Sequence, residues 1–268
     1  MLNKKITFIG GGNMAEGIIR GMIQTGTCEP ANITVFDIME KRLAYLKETY
    51  SVEVVSDITE SAKVSDILFI AVRPQDAEGV LNQIKEIGNE KALVVSICAG
   101  ITLDTMTGIL GEAQKIARVM PNVLIEAKHG YSGICPSKAV TKEDEAVLEE
   151  MFSALGQTLI MPESQFDAFT AFSCAGPAYI MHCIEGLIDA GVQCGFSRPD
   201  SRNMVLENFI GSGILLQETG LHPFQQVDRM TSPAGVTIEG VSVLNSCGIT
   251  GILMEAVKAA YERTKELA

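Results

Sequence analysis

Residues 8–18 read FIGGGNMAEGI: a short apolar run, three consecutive glycines, then a helix-forming stretch. A strand that passes at once into a helix needs small residues at the join. Within Gly10-x-Gly12-x-x-Ala15, Gly10 permits the tight turn, Gly12 lets a ligand approach the backbone, and Ala15 lets the helix lie close on the strand. Amides at a helix N-terminus hold anions, so this spacing points to a pyrophosphate and hence to NADH or NADPH. The glycine pattern alone is equally that of a plain strand-to-helix turn.

The segments that follow give the pattern its context. Apolar, β-branched runs at 6–9, 33–36, 67–72, 93–97 and 116–119 alternate with amphipathic stretches at 14–24, 41–50 and 77–87. Strands apolar on both faces, alternating with helices, predict βαβ units and a parallel sheet. A helix over 142–155 and a short strand over 158–161 close this first part. Beyond Pro162 no strand is expected, and helices are predicted at 166–173, 178–194, 199–218 and 249–267, with Pro177 and Pro199 where helices begin. The expected fold class is α/β: a Rossmann-type parallel-sheet domain over 1–163, then an all-α dimerisation domain over 164–268. The long helices are apolar and poor in charge, which favours burial against a second subunit over a compact monomeric bundle.

A net charge of −12 argues against nucleic acid or an anionic membrane surface as partner. Apolar stretches are interrupted by Glu207, Glu218, Glu239 or Gly176-Pro177, so none reads as a membrane span. The 7 cysteines include no C-x-x-C pair. They read as reduced thiols, with neither a disulfide framework nor a zinc site, and a cytoplasmic location is expected.

Asp37 lies 25 residues beyond Gly12 at the end of the second predicted strand. An acid there accepts hydrogen bonds from the adenosine ribose and repels a 2′-phosphate, favouring NADH. With Glu40 three residues on, Asp37 also reads as a helix cap, and Lys41 or Arg42 folding back would serve a 2′-phosphate instead. Oxidation of an alcohol needs a proton acceptor, yet residues 164–257 contain no lysine. His182 and His222 read as structural. A cyclic imine arrives already protonated and needs mainly to be oriented against the nicotinamide, so this composition favours imine reduction.

The segment 228–245, DRMTSPAGVTIEGVSVLN, places a small hydroxyl-rich turn before a helix. It reads either as a carboxylate site or as an ordinary capped loop. It resembles the TSPGGTT signature of pyrroline-5-carboxylate reductases, with His222-Pro223 just upstream. Further blocks resemble that family in order: the Gly10 loop with Asn13 and Met14, AVRPQ at 71–75, VSICAGIT at 95–102, RVMPN at 118–122 and CAGPAY at 174–179. The resemblance implies that Gly10, Gly12, Asn13 and Met14 line the pyrophosphate. Ala71, Val72, Arg73 and Pro74 would follow the cofactor, with Ala99 and Gly100 nearer the nicotinamide. It further implies that Ser232, Gly235, Val236 and Thr237 bind pyrroline-5-carboxylate, that the product is L-proline, and that the helical domains pair as a homodimer or higher oligomer. Thr237 is the candidate to hold the imine nitrogen and relay its proton. The chain departs from the pattern at MPNVL (120–124), at Ala234 in place of Gly, and at SCAGPAY (173–179). These changes bear on cofactor preference and on whether a related pyrroline or piperideine carboxylate is used. A dinucleotide-binding accessory protein without turnover is the alternative, against which the intact substrate loop speaks.

Overall fold

The computed structural model describes residues 1–267. Its first elements are β1 (Ile6–Ile9), α1 (Asn13–Gln24), β2 (Ile33–Phe36), α2 (Glu40–Tyr50), β3 (Glu53–Val55), α3 (Thr59–Val64), β4 (Ile67–Ile70), α4 (Pro74–Ile87), β5 (Leu93–Ser96) and α5 (Leu103–Leu110). There follow β6 (Lys115–Pro121), β7 (Gly130–Pro136), α6 (Lys142–Ser153), β8 (Gly156–Ile160), α7 (Phe166–Phe169), α8 (Gly176–Gln193), α9 (Arg198–Thr219), α10 (Pro223–Met230), α11 (Val236–Ser246) and α12 (Ile249–Leu267).

The eight strands form one sheet in the order β3-β2-β1-β4-β5-β6-β7-β8. Every pairing is parallel except β6 with β7. Alternate residues of each central strand enter different cores. Ile6, Phe8, Ile67 and Phe69 join the cluster on one face, and Ile9, Leu68, Ile70 and Val94 the cluster on the other. Phe8 and Phe69 stack with ring centroids 4.5 Å apart, and both are fully buried. Each such side chain contributes about 1.5–3 kcal/mol on leaving water. This two-sided burial explains the continuous apolar runs in the sequence.

Two strands were not legible beforehand. β3 has three residues, none fully buried, at the sheet edge. β7, GYSGICP, lacks an apolar run and is held by pairing with β6 and β8.

The chain divides into two compact units, one comprising Met1–Cys174 with the segment from Tyr261, the other Ala175–Ala260. The residue 163 boundary read from the sequence falls within the first unit, where Phe166 packs with Met120, Cys135 and Met161. In the second unit α8 and α9 pack closely, Gly191 lying against Ser201. Its buried residues are only Pro177, Ile188, Ser201, Val205 and Gln226. Met181, Leu187, Ile210, Val243 and Met254 are instead at least half exposed. A helical unit with so little interior of its own is not a self-sufficient bundle. No single helix among the described residues is long and apolar enough to cross a membrane.

Candidate active site

The dinucleotide motif lies at the carboxyl edge of the sheet. There β1 sits between β2 and β4, and the strand order reverses direction, which is where open α/β sheets bind ligands. Gly10 takes φ +104°, and its amide donates to the Phe36 carbonyl at 2.8 Å. A Cβ on Gly10 would lie 2.4 Å from the Ala71 carbonyl oxygen, so only glycine fits. Gly12 caps α1 without any side-chain cap, and a Cβ there would meet nothing within 4 Å. The first amides of α1, from Asn13 and Met14, therefore face a backbone opening rather than a protein acceptor.

Register carries the neighbours to the same edge. Ile9 pairs with Phe36 on one side and Ile70 on the other, and Ile70 pairs with Ser96. Asp37, the segment Ala71–Val72–Arg73–Pro74, and Ala99–Gly100 thus follow adjacent strands. The Ala71 amide donates to the Ile9 carbonyl at 2.8 Å. Arg73 caps α4, with Pro74 at its first position, and pairs with Asp76 at 2.8 Å on the surface. Gly100 takes φ +75°. Behind this loop the buried Cys98 thiol donates to the Ile70 and Val72 carbonyls, and burial pushes its ionisation upward.

Asp37 does not cap α2. Helix α2 starts at Glu40 after Met39, with no side-chain cap. Asp37 Oδ2 instead accepts from the Gly11 amide at 2.8 Å, and Oδ1 from the Met39 amide at 2.9 Å. The capping-box alternative with Glu40 is therefore not formed. Arg42 does fold back, but onto protein: Nε donates to the Gly11 carbonyl and the guanidinium pairs with Glu16. Gly11, which the Gly-x-Gly spacing passes over, is thus held at both ends of its residue. A Cβ there would lie 2.7 Å from Leu46 Cδ1, so that side chain would have to shift to admit one.

Further along the edge, Asn122 is buried after β6. Its Oδ1 accepts from the Leu124 and Tyr131 amides, and its Nδ2 donates to the Ser173 carbonyl. Arg118 is buried on Glu163 and over the Phe166 ring, 4.4 Å from its centroid. Beside this pair, burial and then the Glu163 charge push the Cys135 thiol up to about 12. Cavities of about 460 and 590 Å³ open elsewhere on this unit. Neither is lined by residues 10–14, and the motif's geometry outweighs their size as a guide to the ligand.

The hydroxyl-rich turn at 231–237 belongs to the second unit. The Gly235 amide closes a turn on the Ser232 carbonyl at 2.9 Å. Pro233 and Ala234 are its central residues, and Ala234 takes φ +57°. Proline followed by a left-handed residue normally recruits glycine at the second place, a position this chain fills with alanine. Gly235 is the cap residue of α11 and supplies no side chain, leaving the Val236 and Thr237 amides free of a side-chain cap. Thr237, the second residue of α11, is not its cap. A Cβ on Gly235 would lie 2.4 Å from Ser232 Oγ, so the hydroxyl closes over this glycine. His222 caps α10, accepting from the Phe224 amide. His182, read as structural, is exposed on α8. No group of His, Cys, Asp and Glu suited to a metal ion occurs among the described residues.

Comparison with known proteins gives these loops a family. Residues 163–267 match the model described as pyrroline-5-carboxylate reductase dimerisation, and residues 5–100 one described as NADP oxidoreductase, coenzyme F420-dependent. The pyrroline-5-carboxylate reductase of Methanosarcina acetivorans is 40% identical over 268 residues, covering 100% of this chain and 99% of its own. The chain belongs to the pyrroline-5-carboxylate reductase family. Two solved structures, a pyrroline-5-carboxylate reductase and a pyrroline carboxylate reductase, extend the likeness to the whole fold. The Coxiella burnetii enzyme superposes with a TM-score of 0.93 at 31% identity, covering 100% of this chain and 99% of its own. The Plasmodium falciparum enzyme, with NADP bound, gives 0.89 at 31% identity, again over 100% and 99%. The family's fold is α/β with a helical dimerisation region, and its chemistry is NAD(P)-dependent oxidoreduction.

Proposed function

We propose that this chain reduces 1-pyrroline-5-carboxylate to L-proline, using NADH or NADPH. The observation that carries the reading is the full-length match to pyrroline-5-carboxylate reductases at 40% identity. The open backbone over Gly12 and the uncapped start of α1 fit a pyrophosphate. When bound, the reduced nicotinamide supplies a hydride to the imine carbon.

In this reading Gly10, Gly12, Asn13 and Met14 hold the pyrophosphate, and Asp37 faces the adenosine ribose. Ala71, Val72, Arg73 and Pro74 border the dinucleotide, with Ala99 and Gly100 further along. Ser232, Gly235, Val236 and Thr237 hold the substrate. The Val236 and Thr237 amides, at the positive end of α11, take the carboxylate. The Thr237 hydroxyl holds the protonated imine nitrogen by accepting from it, and relays a proton to the amine that hydride transfer leaves. Absence of lysine from 164–257 costs such a reaction nothing, because no alcohol has to be deprotonated.

Residues 1–163 then serve the dinucleotide, and 164–268 serve substrate and subunit pairing. A second copy of this chain is the partner that covers the exposed apolar helices, giving a homodimer or a larger homo-oligomer. The free cysteines suit a reducing compartment, and we place the enzyme in the cytoplasm.

The test follows oxidation of NADH and NADPH with pyrroline-5-carboxylate, piperideine-6-carboxylate and a 3-oxo acid in parallel. Pyrroline-5-carboxylate is expected to be turned over fastest. A faster piperideine carboxylate would reassign the ring, and a faster oxo acid would overturn imine reduction.

A further inference from the structure

Glu16 is the fourth residue of α1 and has no place in the dinucleotide motif. A bare carboxylate in the first turn of a helix that must receive a pyrophosphate would repel it. Here it is half-buried and fully engaged: its side chain is only 16% exposed. Tyr45 and Tyr50 donate their hydroxyls to Oε1 at 2.9 and 2.7 Å, and Arg42 pairs with Oε2. Burial pushes the Glu16 carboxyl upward, but the bonds from Tyr50, Arg42 and Tyr45 outweigh it and hold the group below the ordinary carboxylate range.

Arg42 is committed on each side. Its Nε donates to the Gly11 carbonyl, its terminal nitrogen serves Glu16, and its guanidinium lies 5.1 Å from the Tyr45 ring centroid. The Gly11 amide is meanwhile held by Asp37. An arginine at the start of the helix after β2 has the charge and fork geometry for a ribose 2′-phosphate, which the neighbouring Lys41, a point charge on a flexible stem, does not reproduce.

We propose that Glu16 sets the cofactor preference of this chain by locking Arg42 onto the glycine loop, out of reach of a 2′-phosphate, so that Asp37 faces the ribose and NAD(H) is favoured over NADP(H). This rests on the NAD(P)H-dependent reading above. Tyr45 and Tyr50 are positioning residues for the lock.

Calorimetric titration of the full-length protein with NAD⁺ and NADP⁺ tests it without turnover. Wild type is expected to bind NAD⁺ more tightly. Glu16→Gln, which keeps the shape but removes the charge, should shift the ratio toward NADP⁺ by about tenfold, the scale of one charge-assisted hydrogen bond. Arg42→Gln added to that variant should abolish the gain, whereas Arg42→Gln alone should weaken both dinucleotides alike. Tyr50→Phe, a milder change, should move the ratio the same way by a smaller factor and serves if Glu16→Gln melts. An unchanged ratio in both Glu16→Gln and Tyr50→Phe overturns the proposal. A gain that survives removal of Arg42 also overturns it, as does a loss of NADP⁺ binding alone in Arg42→Gln. Wild type that binds neither dinucleotide would instead overturn the cofactor reading itself.

Discussion

Replacing Gly12 with alanine separates the needs of the fold from those of the ligand. Gly12 has φ −64° and ψ −179°, a conformation open to any residue, and its Cβ would meet nothing within 4 Å. The cost to the fold is that of alanine at a helix cap, about 1 kcal/mol or less, or about 2–4 °C in Tm. In the bound state the new methyl would stand between the phosphate oxygens and the amides of α1. Each charge-assisted hydrogen bond lost removes about 1.5–3 kcal/mol, or about ten- to a hundred-and-fifty-fold in Kd. Gly10→Ala is the contrasting variant. At φ +104° its Cβ would lie 2.4 Å from the Ala71 oxygen and 2.7 Å from the carbonyl carbon, both backbone atoms of the adjoining loop. Backbone strain alone costs about 1–3 kcal/mol, and the loop after β4 must also shift. Thermal melting without ligand and calorimetric titration with NAD⁺ and NADP⁺ read the two effects. Gly12→Ala should melt near wild type yet bind weakly, whereas Gly10→Ala should melt early. Wild-type dinucleotide affinity in Gly12→Ala would refute the placement of the pyrophosphate over this residue.

Thr237→Ala should lower turnover about ten- to a hundred-and-fifty-fold with little change in cofactor Kd, and Thr237→Ser should keep most activity. Because Gly235 is the α11 cap, loss of the Thr237 hydroxyl should barely move Tm; full turnover in Thr237→Ala would remove it from the mechanism. Asp144 accepts from the Thr141 amide and hydroxyl and pairs with Lys115 at 2.9 Å. These bonds outweigh burial and hold its carboxyl below the usual range. Its contribution is therefore present above the unfolded value and lost as pH falls through the folded one, so Asp144→Asn should cost about 1 kcal/mol at neutral pH and progressively less below about pH 4. A gap unchanged to about pH 2 would contradict this assignment. Cys135 and Cys174, both pushed up to about 12 by burial, should resist iodoacetamide in the native protein near pH 8; rapid labelling by mass spectrometry would show the burial to be wrong.

Much of the glycine-loop edge was legible because local rules act there. Gly10 needs a positive φ, Gly12 an open face and Ala15 a small side chain, and each need is written in residue type. Asp37 was legible only as a choice between ribose ligand and helix cap. Spacing alone does not say where α2 begins, and its start at Glu40 without a cap removes the second alternative. The role of Gly11 left no distinct signal among three consecutive glycines. It depends on Leu46, Asp37 and Arg42, which converge only after α2 packs back on the loop.

The sequence by itself determined the alternation of buried strands and helices, the glycine-built strand-to-helix turn, the helical character beyond Pro162 and, through its ordered motifs, the family. Those features follow from side-chain period, backbone freedom and composition over short spans. Only the tertiary structure decided that GYSGICP becomes β7, antiparallel to β6, since its partners lie on either side of it and its own residues give no strand pattern. It likewise decided that Arg42, which folds back, pairs with Glu16. It placed His182 on an exposed helix face. Each of these outcomes depends on groups distant in sequence meeting in space, a long-range choice that no local window of residues encodes.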